Sequence, residues 1–451
     1  MDGSWDLVMD FMYLSFLLGL SAVIKRSIPG MRKLLIPNSI IAGFLAVLFG
    51  PDVLGIFNFN SDNLGFMIYH MLAIGFIAVA LKKSNSKLSK TGFNTGLIIT
   101  MSLTIQAIAG FAVSLFLYYL ITKDVFPLMG LLLPLAFDQG PGQAFSIGSQ
   151  WEALGFRSGG AIGLVMATIG FLWATIGGIF LLNIIVFFKK KSKLVSEKKF
   201  IKKSVVSTVR DYEFSDIDGM TIQLLAIGIV YLVTFGFIKW ITAVLGIGGN
   251  SYGETFARVL WGLHFVVGVL FAFLFRKVYD FLRRDEKYTT QYLNDFLLQR
   301  IAGAVFDYMV AASIAAIPLK MVKENFVPIL LITTIGGVLT VFYTIWFSKR
   351  TYRESVLENT LALFGMETGT ISTGMALLRE IDPNFESGAA ENMVLGSGVA
   401  LIFGIPLLVI INIPIIGIKT NNPTYFFYTL LALGVYLLAI FFTWYLSVRR
   451  K

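Results

Sequence analysis

Cysteine is absent from the 451-residue chain, and histidine occurs only twice. The first absence excludes a disulfide framework and thiol chemistry and says nothing about the compartment. The second leaves His70 and His264 without neighbouring ligands, so no metal centre is expected. No HExxH, no acidic metal cluster and no serine or lysine nucleophile pattern occurs either, and an enzyme is not expected. Charge is scarce too, at 14% of residues against 56% hydrophobic, with a mean hydropathy of +0.76. Soluble domains carry about 25% charged residues, so this is the composition of a polytopic membrane protein. The formal net charge of +10 would suit a nucleic-acid binder. Most of its lysines and arginines, however, stand just beyond the ends of apolar runs, so the basic balance reads as membrane topology and no nucleic-acid partner is expected.

Apolar runs of roughly 20 residues can cross the hydrocarbon core as helices, and flanking basic residues give each a direction. Residues 5–24, which lack the basic start of a signal peptide, are predicted to run inward from an external N-terminus to Lys25, Arg26, Arg32 and Lys33. Residues 34–49 return, 66–81 run in to Lys82, Lys83, Lys87 and Lys90, and 95–121 come back out. If 126–151 enters and leaves on the outer face as a re-entrant hairpin, 161–188 delivers Lys189, Lys190 and Lys191 to the cytoplasm, and every sign agrees. Residues 189–218 have no spanning run and carry Lys198, Lys199, Lys202 and Lys203, which reads as a basic cytoplasmic linker. The second half repeats the order in mirror image: 220–247 outward, 256–275 inward, 301–319 outward, 326–347 inward, a hairpin at 356–379 from the cytoplasm, and 392–415 outward. Five crossings and one hairpin per half reverse the orientation of the second half. The expected fold is an all-α membrane protein of two inverted repeats, 1–188 and 219–415, each of five transmembrane helices plus a re-entrant hairpin. An extra transmembrane helix in 416–451 ends in the cytoplasm, and the location expected is the cell inner membrane.

The hairpins are inferred from two polar, glycine-rich breaks. The first is Phe137-Asp138-Gln139-Gly140-Pro141-Gly142-Gln143-Ala144-Phe145-Ser146, the second Gly365-Met366-Glu367-Thr368-Gly369-Thr370-Ile371-Ser372-Thr373-Gly374. Unwound backbone at membrane depth persists only inside protein or a water-filled cavity, and two such breaks at matching places point to a transporter's binding site. A half-helix ending there offers carbonyls to a sodium ion, and one beginning there offers N–H groups and about half a positive charge to a carboxylate. Gly140, Gly142 and Gly369 let backbone approach a ligand, and Pro141 stiffens the first turn. Gln139, Gln143, Ala144, Thr368, Thr370, Ser372 and Thr373 complete the candidate substrate-binding set, with small-residue helix packing as the bland alternative. An acid at membrane depth costs about 2.5–3.5 kcal/mol, so Asp138 and Glu367 are each a cation ligand, a proton carrier or an acid paired for structure. Asp307 is a third cation-coupling candidate, or pairs with Arg300 about two turns away. Gln106, a lone polar residue on an apolar run, is assigned to packing.

With both breaks placed, the chain resembles the bacterial sodium:glutamate symporter family over nearly its whole length, the last helix and the linker excepted. The carrying residues are Gln139-Gly140-Pro141-Gly142-Gln143-Ala144 and Gly365-Met366-Glu367-Thr368-Gly369-Thr370. Members commonly have a Gly-His-Gly-Thr-like first tip where this chain has Gly140-Pro141-Gly142-Gln143, and a neutral residue where it has Glu367. The resemblance implies a homodimer, each subunit with a static scaffold and a mobile transport domain that carries both hairpins in an elevator-like displacement. It also implies sodium as coupling ion.

The function expected is therefore sodium-coupled symport of a small carboxylate, glutamate first, without a cofactor. Arg379, about two turns past the second tip, either reaches a second carboxylate or pairs with Glu380. The alternatives are a proton-coupled or exchange carrier for another organic anion, and an ion channel, whose symmetric filter in a short subunit is missing.

Overall fold

The computed structural model describes residues 3–28, 37–82, 89–183, 218–246, 260–282, 292–382 and 385–449. The linker predicted at 189–218 lies outside them except for Asp218, as do Arg32, Lys33, Lys83, Lys87 and the start of the run at 256–275. The first half comprises α1 (Gly3–Ser27), α2 (Asn38–Phe49), α3 (Ser61–Ala80), α4 (Lys90–Leu120), α5 (Leu133–Phe137), α6 (Pro141–Glu152) and α7 (Gly159–Leu172). Helix α7 continues through a π turn to Asn183. The second half has α8 (Gly219–Gly246), α9 (His264–Leu282), α10 (Asp295–Ala315), α11 (Leu319–Glu324), α12 (Phe326–Thr351), α13 (Val356–Glu367), α14 (Ile371–Arg379), α15 (Ala389–Ile410), α16 (Ile413–Lys419) and α17 (Thr424–Arg449). Among the described residues there is no strand, and nine helices are long and apolar enough to cross a membrane. The protein is an all-α, multi-pass membrane protein.

Eleven crossings were expected, and two of them fall short of that measure. Helix α2 has 12 described residues, about 18 Å of rise against a hydrocarbon core of about 30 Å. Helix α9 carries Arg276, Lys277 and Asp280 on its last turns. Three spans also start about five residues earlier than hydropathy indicates, because a polar cap rather than the first apolar residue begins each helix. Asn60 Oδ1 accepts from Asp62 N and Asn63 N (2.9 and 3.3 Å) ahead of α3, Ser89 Oγ from Gly92 N (2.9 Å) ahead of α4, and Asn294 Oδ1 from Phe296 N and Leu297 N (2.9 and 3.2 Å) ahead of α10.

The helices pack around two sets of apolar cores. One joins α1, α2, α3, α9 and α10 through Leu17, Ile40, Leu72, Phe265 and Ala312, and extends to α8 through Ile77, Ile227 and Val269. At its end Arg276 of α9 donates to Leu81 O (2.9 Å) and pairs with Asp280 and Asp295 at 3.2 and 3.5 Å. The other joins α4 to α5, α6, α7, α12, α13, α15 and α17, around Phe111, Phe137, Ile332, Leu363 and Trp444. Lipid tails are as apolar as leucine, so helix pairs in a bilayer gain most from close approach. Helices α4 and α15 achieve it with glycine: a Cβ on Gly96 would overlap Val399, and one on Gly396 would stand 2.6 Å from Thr95 Cγ2.

Each of the two polar breaks joins a pair of short helices in the second set. Before α5, Phe126 stacks on Phe156 at 4.4 Å and lies 6.4 Å from Trp151, so the chain returns past α6 to the end from which it came. Between α13 and α14, Gly374 lies so close to Ala362 O, Gly365 and Met366 N that the arms run back along one another.

Candidate functional site

Each break has a local cause. Gly140 sits at φ 89° and ψ 175°, a conformation that side chains avoid, and Pro141 follows as the first residue of α6, where its missing N–H costs nothing. In the second break Thr370 is extended (φ −150°, ψ 171°) and α14 starts at Ile371. The Thr373 hydroxyl ties that tip together: it donates to Gly365 O (2.6 Å) and accepts from Thr370 N (2.8 Å). The two tips face each other. A Cβ on Gly140 would lie 3.8 Å from Thr370 Cγ2, and Gly170 of α7 packs against both Phe137 and the Thr368 carbonyl. The N-termini of α6 and α14 therefore open at one place, where their first N–H groups have no intrahelical acceptor.

The side chains around this meeting point are short of donors. Gln139 Nε2 donates to Asp138 Oδ2 (2.7 Å) and Gln143 Nε2 to Gln139 Oε1 (2.8 Å), a chain that leaves Asp138 Oδ1 and Gln143 Oε1 with no partner. From α4, Gln106 Nε2 donates to Thr340 Oγ1 (2.9 Å) and to the carbonyl of Glu367 (3.0 Å), while its Oε1 has none. Ser102 stands beside the Glu367 carboxyl group, yet neither carboxyl oxygen has a well-formed hydrogen bond. Asp138 is 7% exposed, Glu367 0%, and Gln106 and Gln143 1% each. A buried acceptor without a donor costs about 1–3 kcal/mol, and a charged one more. No base offsets the two acids: among the described residues Arg276 is the one buried Lys or Arg, and it serves Asp280 and Asp295.

The other predicted residues divide. Gly142 makes room for protein, since a Cβ there would stand 2.7 Å from both Leu72 Cδ1 and Met309 Sδ. Ala144 is buried against Gly163, and the Thr368 hydroxyl donates to Phe364 O (2.7 Å). At Gly369 a Cβ would stand 2.5 Å from Thr373 Oγ1, so this glycine serves the tip itself. Ser372 is the second residue of α14, and its side chain lies outside the described residues. Arg379 is not brought to the tips: it ends α14 exposed, with its guanidinium 5.5 Å from the Phe385 ring centre. Asp307 is not brought there either. It is exposed on α10 beside Ser39, whereas Met309 of the same helix faces Gly142.

No family model matches this chain, and no curated protein matches it. From the sequence alone Gln106 reads as a packing residue, and Ser102 and Thr340 do not stand out. The available signal was the density of uncharged polar residues in α4, where Asn94, Thr95, Thr100, Ser102, Thr104 and Gln106 are all buried. A span needs no such residues to face lipid, and their number marks α4 as an interior helix.

Proposed function

We propose that this chain is a secondary active transporter that carries a small carboxylate across the membrane in symport with a cation. Glutamate is the first candidate substrate and sodium the first candidate ion. The observation that carries the reading is the meeting of the two breaks, which brings the starts of two helices together, with donor-free oxygens on side chains of both breaks and on Gln106. Helix N-termini favour a carboxylate without a buried basic side chain, and oxygen acceptors without donors favour a hard cation. Coupling follows from charge. The site holds two buried carboxyl groups and no base, so a cation that binds them in their ionised form supplies the positive charge beside which an anion can settle.

The order of elements supports two inverted repeats. Each half has three helices, a long helix, a helical hairpin and another long helix, and an odd number of crossings would invert the second. On this reading the hairpins are re-entrant, the N-terminus is outside and the basic linker and C-terminus are cytoplasmic, in the inner membrane of a bacterium. The first set of helices would be the scaffold of a homodimer, and the second set, which holds both hairpins, the body that moves in an elevator-like step. The resemblance to bacterial sodium:glutamate symporters points the same way. A proton-coupled or exchange carrier keeps the site and changes the ion, while the symmetric filter in a short subunit that marks a channel is missing.

Competition tests the substrate class in proteoliposomes. Sodium-driven uptake should be blocked by glutamate or a related carboxylate, whereas inhibition only by amines, sugars or other carboxylate-free compounds would reject the anion.

A further inference from the structure

Where α12 ends and α4, α13 and α15 begin, away from the two breaks, the chain forms a polar cleft of about 320 Å³, a volume within the range of small-ligand sites. Arg353, Glu354 and Glu391 line it, and among the described residues none of the three is in an ion pair. Hydrogen-bond capacity is left over beside them. The Ser89 hydroxyl oxygen accepts from Gly92 N and that of Ser355 from Asn359 Nδ2, at 2.9 Å each, so both hydroxyls keep a proton to donate. Asn392 gives its Nδ2 to Asn359 Oδ1 (3.1 Å), which leaves its own oxygen as an acceptor. Helix α13 starts at Ser355 without a side-chain cap, so its first N–H groups add to the donors. The cleft thus suits a ligand of both signs: Arg353, the hydroxyls and a helix start for an anion, two carboxylates and an amide oxygen for an ammonium group.

Its surroundings are those of a membrane interface, where Trp, Tyr and basic residues gather. Trp346 and Trp444 lie 6.0 Å apart, Arg350 and Arg449 stand over Trp346 and Tyr445 at 3.7 and 4.8 Å, and Trp444 Nε1 donates to Oγ1 of Thr351 (3.0 Å), which lines the cleft. From Glu391 an apolar stripe runs along α15: Val394, Ile402 and Val409 share its face at helical spacing, each more than half exposed. We infer that the cleft binds the headgroup of an aminophospholipid, with the phosphate on Arg353, the ammonium on Glu354 and Glu391, and an acyl chain along that stripe. An ammonium that keeps its N–H groups makes charge-assisted hydrogen bonds to the carboxylates, which a trimethylammonium cannot, and a headgroup without a cation leaves both carboxylates unopposed. Ethanolamine is therefore preferred to choline and to glycerol. Because Ser355 begins α13 and Glu391 lies in the first turn of α15, the lipid ties both helices to the starts and ends of α4 and α12. The site is separate from the two breaks and does not depend on the carrier reading.

The test is thermal unfolding of the full-length protein in detergent, stripped of lipid and then given phosphatidylethanolamine, phosphatidylcholine or phosphatidylglycerol with the same acyl chains. A ligand that binds only the folded state raises the midpoint in a concentration-dependent way. Phosphatidylethanolamine should raise it with saturation, and the other two should need at least tenfold more lipid for the same rise. Arg353→Gln and Glu391→Gln, both at exposed positions, should each erase that preference, with Glu354→Gln as the replacement for either variant that fails to fold. Arg350→Gln, whose side chain lies over Trp346, should keep it. Equal effects of the three lipids, a preference that survives the cleft substitutions, or one lost just as fully in Arg350→Gln would each overturn the site. A rise with free phosphoethanolamine and none with the lipid would overturn the assignment to a lipid.

Discussion

Replacing Glu367 by glutamine should move stability and ion response in opposite directions. The carboxyl group is fully buried, with Ser102 beside it, and neither oxygen has a hydrogen bond of good geometry. Its neighbours Gln106 and Asp138 also have spare acceptors, so an amide of the same shape supplies donors where they are wanting. Each buried acceptor that gains a donor recovers about 1–3 kcal/mol. Glu367→Gln should therefore unfold no lower than wild type in cation-free buffer, and higher if one such bond forms. The same change removes a charged ligand of the ion. Hydrogen bonds to charged groups contribute about 1.5–3 kcal/mol, and a loss of that size raises the half-saturating sodium concentration about 10- to 150-fold. Detergent-solubilised unfolding with a sodium titration reads the first quantity, and sodium-dependent uptake into proteoliposomes the second. A midpoint several degrees lower, together with wild-type sodium dependence in the surviving protein, would make Glu367 a structural acid and refute the argument.

Gly140→Ala puts a side chain at φ 89°; such strain costs about 1–3 kcal/mol, and uptake should fall more steeply than folded yield, as measured by transport per molecule of purified protein. Arg379→Gln should leave the substrate concentration for half-maximal uptake within twofold of wild type, since Arg379 is exposed and faces Phe385; a tenfold rise would return it to the site. Cysteines are cleanly introduced into a chain that has none: one at Ala153, exposed just past α6, should react with an impermeant reagent from outside, and one at Glu380, exposed just past α14, from the cytoplasm. The reverse pattern, or labelling of both from one face, would refute the inverted repeats.

Hydropathy and turn chemistry located the elements because each break combines glycine or proline with an abrupt loss of apolar residues, and each span is a long apolar run. Helix starts were less legible, since Asn60, Ser89 and Asn294 are cap signals outside the apolar windows. The membership of the site was legible only where chain neighbours supply it, as at Asp138, Gln139 and Gln143. Gln106 reaches Glu367 across 261 positions, and nothing in α4 alone indicates which of its faces meets the second hairpin. The same limit misled at Asp307 and Arg379. In a soluble helix the apolar stripe gives the phase, but a span bounded by lipid and protein is apolar on every side, so the face turned to the site is set by packing alone.

Concentrative uptake is the most direct test of the account. Purified protein in proteoliposomes, given an inward sodium gradient and labelled glutamate, should accumulate the label above its external concentration and release it when an ionophore collapses the gradient. If no carboxylate in a broad panel is taken up, or if the label only equilibrates and ignores gradients of both sodium and protons, the paired breaks are not the site of a coupled carrier.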